Sequence, residues 1–289
     1  MIKKIKQYLI DVGINRFISD KRIIRRKYKN FFGRELNLDN PVLFTEKLQW
    51  LKLYYRNNKM TQLVDKNEVK KYIKSLNEKN LYTIPTIGVF EKFSDIDFNK
   101  LPNKFVMKCT HDSGSVTVVR NKEDLNLRKE KKYFDLKLKT NFYYRYREWP
   151  YKNVKPKILV EKFMEDDKSD ALTDYKFFCF NGEPRFMYIS KDDSINPRTD
   201  FFDMDFKHLD LHLKDPNSEV CPLKPKQFEE MRSLAKKLSH DFPFVRIDFY
   251  IINEKIYFGE FTFFHLGGFF HLHPEEWDEK IGKMLNIDL

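Results

Sequence analysis

Two stretches constrain this chain most: Phe244-Val245-Arg246-Ile247-Asp248-Phe249-Tyr250 and Ile256-Tyr257-Phe258-Gly259-Glu260-Phe261-Thr262. β-Branched and aromatic residues dominate both, and apolar positions recur every second residue, so both read as strands. Asn253-Glu254-Lys255 is the natural turn between them. Successive strand side chains point to opposite faces, which separates Val245, Ile247 and Phe249 from Arg246 and Asp248. A three-residue turn sets Asp248 across from Glu260, and Arg246 across from Thr262. A two-residue turn would put the two carboxylates on opposite faces. Side by side, two carboxylates repel and need a cation between them. Few, hard oxygen ligands suit Mg²⁺, which takes one or two carboxylates and completes its shell with water and phosphate.

The competing reading is an edge hairpin with a solvated polar face, Arg246 and Asp248 compensating one another. Phe242, Phe244, Phe258, Phe261, Phe263 and Phe264 argue against an exposed face. Buried carboxylates need a partner or a metal.

With 289 residues and 28 Phe, the chain can bury a sizeable core as one large domain or two joined ones. It carries neither repeats nor a Gly/Pro-rich linker. Cys109, Cys179 and Cys221 are isolated and odd in number, which argues against a disulfide framework or a cysteine-based zinc site and fits a reducing cytoplasm. The net charge of +11 is uneven: residues 1–30 carry ten Lys/Arg against Asp11 and Asp20, a net of +8, leaving +3 for the rest. A nucleic-acid-binding domain usually spreads its basic surface over the fold, so no nucleic-acid partner is expected. Ile2, Ile5, Leu9 and Val12 recur at helical spacing with Lys opposite, as in a helix lying on an anionic membrane. The alternative is an amphipathic helix packed on its own domain. No apolar run approaches the ~18 residues of a membrane span, and Gln7, Asp11 and Asn15 interrupt any signal-peptide core. The expected location is cytoplasmic, with peripheral contact at the inner face of the membrane through residues 1–30.

Residues 1–60 read as helical, with Thr45 able to cap a helix carrying Leu48, Leu51 and Tyr55. Val64-Asp65-Lys66 opens another, with Val69, Tyr72 and Ile73 as its buried stripe. Leu81 to Phe90 is loop and short strand. Strands then run over 105–109, 116–120, 158–163, 175–180 and 185–190, with helices over 123–139 and 226–239. Asn181-Gly182 is a hairpin signal. Strands and helices do not alternate regularly, so the class is α+β.

Phe105-Val106-Met107-Lys108 delivers a lysine into Thr110-His111-Asp112-Ser113-Gly114-Ser115, a small polar loop able to cradle phosphate; an ordinary hairpin loop is the other reading. Ile158 to Met164 is an apolar strand ending in charge, where a nucleotide base could meet exposed backbone. Asp174 and Lys176 share a face of the next hairpin. Asn141 to Trp149 interleaves aromatics with Arg, which suits sugar rings and uronic carboxylates as well as simple packing. His271 and His273 share a face if extended, with His265 nearby, but a zinc site lacks its further ligands.

The order of these elements resembles the ATP-grasp superfamily, and more closely its TupA-like branch, named for a teichuronopeptide-synthesis protein and associated with bacterial surface-polysaccharide genes. The resemblance covers nearly the whole chain. It rests on Phe44-Thr45-Glu46-Lys47-Leu48-Gln49-Trp50, Val64-Asp65-Lys66, Arg147-Glu148-Trp149-Pro150-Tyr151-Lys152-Asn153, the run from Asp174 to Pro184, and Pro274-Glu275-Glu276-Trp277-Asp278. It implies an ATP-grasp fold in which two α+β lobes clamp ATP. A helical N-terminal region (1–62) would precede an ATP-grasp module (63–289), with a nucleotide-binding lobe over about 103–160 and a metal-binding lobe over about 161–289.

By the same resemblance, Lys108 contacts the α/β-phosphates, and Ser113, Gly114 and Ser115 form the phosphate loop. Glu161, Lys162, Phe163 and Met164 are the adenine hinge, the backbone of Lys162 and Met164 reading the base. Lys66 is a nucleotide-side lysine. Asp248 and Glu260 hold Mg²⁺, and Thr262 stands where many ATP-grasp enzymes have a metal-binding Asn. Arg246 and Lys176 act on the transferring phosphoryl group. The usual Pro-Gly is replaced by His265-Leu266-Gly267-Gly268, so acceptor identity is not inherited.

The implied activity is ATP- and Mg²⁺-dependent carboxylate–amine ligation through an acyl phosphate, joining an amino acid or other amine to a uronic-acid carboxylate of a glycan. A sugar kinase of the same fold and a glycosyltransferase are the rivals, the latter because Asp203-x-Asp205 is formally an Asp-x-Asp motif.

Overall fold

Among the described residues, ten strands form two sheets. The computed structural model of the chain describes residues 2–167, 172–191 and 197–287, without the side chains of 2–4 and 191, so Ile2, Lys3 and Lys4 of the expected N-terminal helix lie outside the described side chains. Unit 1 comprises Met1–Arg22, Asn57–Lys79 and Thr83–Met164; unit 2 comprises Ile23–Arg56, Asn80–Tyr82 and Glu165–Leu289.

Strand β1 is Leu81–Thr83 and β2 is Thr86–Phe90. Strands β3 (Phe105–Cys109), β4 (Val116–Val119) and β5 (Ile158–Lys162) complete the unit 1 sheet, in the order β2-β5-β3-β4 with antiparallel neighbours. Alternation along β3 sends Phe105, Met107 and Cys109 into a core with Phe93, Ile96, Phe134, Ile158 and Val160. The same alternation turns Lys108 to the other face.

Unit 2 carries β6 (Thr173–Phe180), β7 (Glu183–Lys191), β8 (Thr199–Asp203), β9 (Phe244–Ile252) and β10 (Lys255–Thr262), in the sheet order β1-β10-β9-β6-β7-β8. Its core is aromatic: Phe178 stacks on Phe186 at 4.6 Å, and Phe44 meets Phe244 edge-on at 5.0 Å. Asn181 and Gly182 take left-handed conformations and close β6 onto β7, as their sequence signals. Strand β8 has no counterpart in the sequence reading, because Thr199 to Phe202 are buried on both faces and leave no alternation to detect.

Several local expectations are corrected. The β9–β10 turn has two residues, Asn253 and Glu254, both left-handed, with Lys255 paired to Ile252. That turn alone would send Asp248 and Glu260 to opposite faces. A bulge between Phe258 and Glu260 absorbs Gly259 and restores the pairing of Glu260 with Asp248 and of Thr262 with Arg246. A Cβ on Gly259 would stand 3.0 Å from the Asp248 carbonyl oxygen and 3.2 Å from the Tyr250 ring, which is why glycine occupies the bulge.

Helix α1 spans Ile2–Asp11, α2 Asp20–Phe32, α3 Phe44–Tyr54, α4 Lys59–Val64 and α5 Glu68–Ser75. Thr45 is not a cap. It lies inside α3, and its hydroxyl donates to Asp278 at 2.6 Å, while Glu46 reaches back to accept from the N–H groups of Val42 and Leu43. Asp65 follows α4 and accepts from the N–H groups of Asn67 and Glu68, opening α5. The helix expected over 123–139 is a short 3₁₀ turn followed by α6 (Leu127–Lys137), because the Asn126 side chain caps it by accepting from Lys129 N–H. Helices α7 (Tyr143–Tyr146), α8 (Phe228–Ser239) and α9 (Glu276–Met284) complete the set used below. The run 44–50 locks onto the C-terminal segment: Lys47 donates to the Gly282 and Leu285 carbonyls, and Gln49 to that of Gly268. Gly282 has to be glycine, since a Cβ there would overlap the Val42 carbonyl.

Candidate functional site

In unit 1 the β3–β5 register pairs Val106 with Glu161 and Lys108 with Leu159, so Glu161 is the diagonal neighbour of Lys108 on one face. Lys108 Nζ lies 2.8 Å from Glu161 Oε2. Lys70 of α5 reaches Glu161 Oε1 and donates to the Ile84 carbonyl at 2.8 Å and Thr86 Oγ1 at 3.1 Å. Burial pushes the Glu161 carboxyl up, but Lys108 and Lys70 outweigh it and hold it below the ordinary range. Burial lowers the Lys70 ammonium, and Glu161 only partly restores it. Sequence reasoning missed Lys70; its place three residues before buried Ile73, hence on the same face of α5, was the available signal.

The loop after β3 is held at its base, where Cys109 N–H donates to the Ser115 carbonyl and Thr110 N–H to that of Lys157. Only Ser113 and Gly114 stand exposed at its tip, with Gly114 left-handed (φ +91°). Ser115 turns inward and donates to the Asp112 carboxylate, and Lys66 Nζ donates to the Asp112 carbonyl. Lys162 N–H is committed to the Pro85 carbonyl at 2.9 Å. Lys104 and Arg120 lie over the Phe163 ring at 5.7 and 5.1 Å, and Met164 follows, half-buried, beyond β5.

In unit 2, β9 lies between β6 and β10, so Asp248 pairs with Lys176 on one side and Glu260 on the other. Arg246, two residues along the same face, grips Asp248 with two bonds, Nε to Oδ1 at 2.7 Å and a terminal nitrogen to Oδ2 at 2.6 Å. The same nitrogen reaches Glu260 Oε1 at 3.1 Å, and Thr262 Oγ1 donates to that oxygen at 3.2 Å. Lys176 Nζ donates to Asp248 Oδ2 at 3.0 Å and Asp174 Oδ1 at 2.7 Å. The cation between the facing carboxylates is therefore Arg246 itself. Burial raises the Asp248 carboxyl, but Arg246 and then Lys176 outweigh it and hold it low. Burial also pushes Asp174 up, and Lys176 only partly offsets it. Lys176 stays above its ordinary value despite burial, because Asp248 and Asp174 face it.

Beyond β10 the chain turns through left-handed Leu266 and Gly267, which brings buried His265 onto the outer edge of Arg246. The guanidinium stands 2.7 Å from His265 Nδ1. Burial and then Arg246 hold this imidazole well below its ordinary pKa, so it is neutral, accepts at Nδ1 and carries its proton on Nε2. No sequence pattern signals this contact, which depends on the turn.

The donor chemistry fits Mg²⁺ in kind: two facing carboxylates, with Glu260 about half exposed (49%). Both Asp248 oxygens are engaged by Arg246 and Lys176, so a metal would share them with those cations. No group of three or more His, Cys, Asp or Glu among the described residues could hold a metal ion, which leaves the histidines without a zinc site. Asp203 of the Asp-x-Asp motif uses Oδ1 to accept from the N–H groups of Asp205 and Lys207, building its own turn. The aromatic–Arg loop packs inward: Arg145 pairs with Asp11 at 2.6 Å, and buried Arg147 donates to the Asn15 carbonyl. Cys109 and Cys179 are buried thiols pushed up to about 12 by that burial, hence inert at neutral pH.

Among solved structures, the chain is similar to D-alanine–D-alanine ligase from Bacillus anthracis complexed with ATP, at 17% identity and TM-score 0.40 over 70% of this chain and 53% of that one. It is similar to D-alanine–D-alanine ligase from Helicobacter pylori at 16% identity and TM-score 0.44, over 84% of this chain and 69% of that one. N5-carboxyaminoimidazole ribonucleotide synthetase from Thermus thermophilus follows at 12% identity and TM-score 0.41, over 76% and 51%. The chain spans about half the length of the first of these. No curated protein matches it. The family profile described as TupA-like ATPgrasp matches residues 46–286, taking in both sheets and both charged clusters, and the chain belongs to that family.

Proposed function

We propose that this protein is an ATP-dependent carboxylate–amine ligase that activates a carboxylate as an acyl phosphate and passes it to an amine. The observation that supports this most is the division of charge between the clusters. Lys70 and Lys108 surround one carboxylate, Glu161, while Lys176 and Arg246 serve three, Asp174, Asp248 and Glu260. Phosphoryl transfer needs positioning and charge neutralisation more than covalent help. In this reading Lys108 and Lys66 take the α/β-phosphates beside the Ser113–Gly114 tip, with Ser115 bracing the loop through Asp112. Met164 N–H and the Lys162 carbonyl read the base, and Phe163 flanks it. Glu161 holds the two lysines in place.

Asp248 and Glu260, with Thr262 beside them, would hold Mg²⁺, whose charge neutralises phosphate oxygens when bound. Arg246, oriented by Asp248 and His265, stabilises the transferring group, and Lys176 fixes Asp248 from the far side. A uronic-acid glycan or its precursor is the proposed carboxylate, and an amino acid or other amine the acceptor, in bacterial surface-polysaccharide synthesis.

The test is an ADP-release screen of uronic acids with hydroxylamine as the amine. A mixed anhydride would be trapped as a hydroxamate of the carboxylate substrate, with one ADP and one phosphate per turnover. A stable phosphoester on the acceptor would establish a kinase instead, and consumption of nucleotide-sugar without ATP cleavage a glycosyltransferase.

A further inference from the structure

Helix α1 buries a polar anchor: Asp11 is buried, pairs with Arg145 and accepts from Gln7, while Gln7, Tyr8 and Ile10 are half-buried. Just beyond it, Gly13 lies against the Tyr144 ring, and the Asp11 carbonyl accepts from Asn141 N–H. Ile5, Leu9 and Val12 are exposed, and the chain continues with Ile14 at 65% and Phe17 at 87% exposure. Lys6 and Arg16 stand exposed in the same segment, with the Arg16 guanidinium 4.8 Å from the Phe17 ring centroid.

Five exposed apolar side chains within thirteen residues call for an occupant. We propose that residues 5–17 are a docking surface for an anionic membrane, with Ile5, Leu9, Val12, Ile14 and Phe17 entering the headgroup boundary while Lys6 and Arg16 stay at phosphate level. The charge selects this occupant. Residues 1–22, the N-terminal segment of unit 1, hold six Lys/Arg against Asp11 and Asp20, a net of +4, so a second copy would bring like charge against like, whereas anionic lipid matches both the apolar side chains and the cations. Among the described residues no helix is long and apolar enough to cross a membrane, so the contact is peripheral. It is independent of the catalytic reading.

Truncation through residue 30 would also remove Ile23, Ile24 and Tyr28, which are buried, so point substitutions in the full chain are the proper test. Flotation is measured with phosphatidylcholine vesicles and with vesicles containing about 30% phosphatidylglycerol, at low and high salt. The parent chain should bind the anionic vesicles and lose most of that binding at high salt. Lys6→Gln with Arg16→Gln should weaken binding about fivefold per charge. Leu9→Ser with Phe17→Ser should weaken it on the order of tenfold or more. Circular dichroism and thermal unfolding should not change, since these side chains are exposed. Equal binding to neutral and anionic vesicles, or variants that float like the parent, would overturn the proposal. So would a dimer that Leu9→Ser with Phe17→Ser dissociates while flotation is unchanged, because the occupant would then be a second copy.

Discussion

Glu161 in unit 1 and Asp248 in unit 2 are built on one plan and end with opposite surroundings. Each is a carboxylate on an inner strand, almost fully buried, and held low by two cations that outweigh burial. Around Glu161 both cations are lysines and positive charge is in excess. Around Asp248 the cations are Lys176 and Arg246, and Asp174 and Glu260 tip the balance to negative. A buried ion pair by itself says little about chemistry, since its desolvation cost roughly cancels its attraction. The excess charge is what can recruit a ligand: phosphate in the first case, a divalent cation in the second.

The largest expected effect is that of Asp248→Asn. It removes the proposed metal ligand and leaves Arg246 and Lys176 buried with no carboxylate between them. Breaking such a pair typically costs about 3–5 kcal/mol, so loss of ATP turnover should come with a clear drop in melting temperature. Glu260→Gln provides the contrast. Glu260 is half exposed and receives only one contact from Arg246, so turnover should fall on the order of a hundredfold while thermal unfolding stays close to that of the parent. Wild-type turnover in Glu260→Gln would remove the metal assignment, and equal destabilisation by both variants would show that the two carboxylates are not distinguished by burial.

Lys108→Ala should act more mildly. Hydrogen bonds to charged groups are worth about 1.5–3 kcal/mol, so nucleotide affinity measured by calorimetry should weaken about ten- to a hundredfold. Lys70 still neutralises Glu161, and the fold should hold. Unchanged affinity would place the phosphate contact elsewhere. Gly259→Ala should be milder again, costing about 1–3 kcal/mol, because the new Cβ presses on the Asp248 carbonyl across the bulge. If the bulge is what aligns the carboxylates, turnover should fall more steeply than stability.

Much of this was legible in the sequence, for reasons that differ by region. The strand over Phe105–Cys109 and the pair at 244–262 carry period-two alternation, so the faces of Lys108, Arg246 and Asp248 could be read directly. The facing of Asp248 and Glu260 was foreseen through a three-residue turn, but two local departures produce it together, a two-residue turn and a bulge one residue before Glu260. The family-marking run 44–50 shows polar residues that invite a chemical reading, yet Thr45, Lys47 and Gln49 are used to bind Asp278 and the backbone at 267–268, 282 and 285. Neither Lys70 nor the contact of His265 with Arg246 shows in the sequence, because both are set by tertiary structure: one reaches from a helix onto a sheet, the other depends on a left-handed turn.

The smallest expected effect is the most direct test of the comparison, because it needs no mutation. Glu161 has a folded-state pKa below its unfolded value of about 4.3, so its stabilisation is present above that value and lost as pH falls through the depressed folded one. Asp248 follows the same sign from an unfolded value of about 3.9. Asp174 runs the other way. Its folded pKa is raised, so its charge opposes folding at neutral pH, and that cost is relieved as pH falls through the raised value toward about 3.9. Protonated Asp174 also ceases to repel Asp248 while Lys176 and Arg246 remain in place. On mild acidification, amide exchange in β6 and β9 should therefore first slow and then quicken. Protection in β3 and β5, whose cluster has no such carboxylate, should hold until about pH 4.3 and then decline. Asp174→Asn should abolish the initial slowing in unit 2 and leave unit 1 unchanged. If both sheets lose protection in parallel in the parent chain, the two clusters do not differ in charge balance as their contacts indicate.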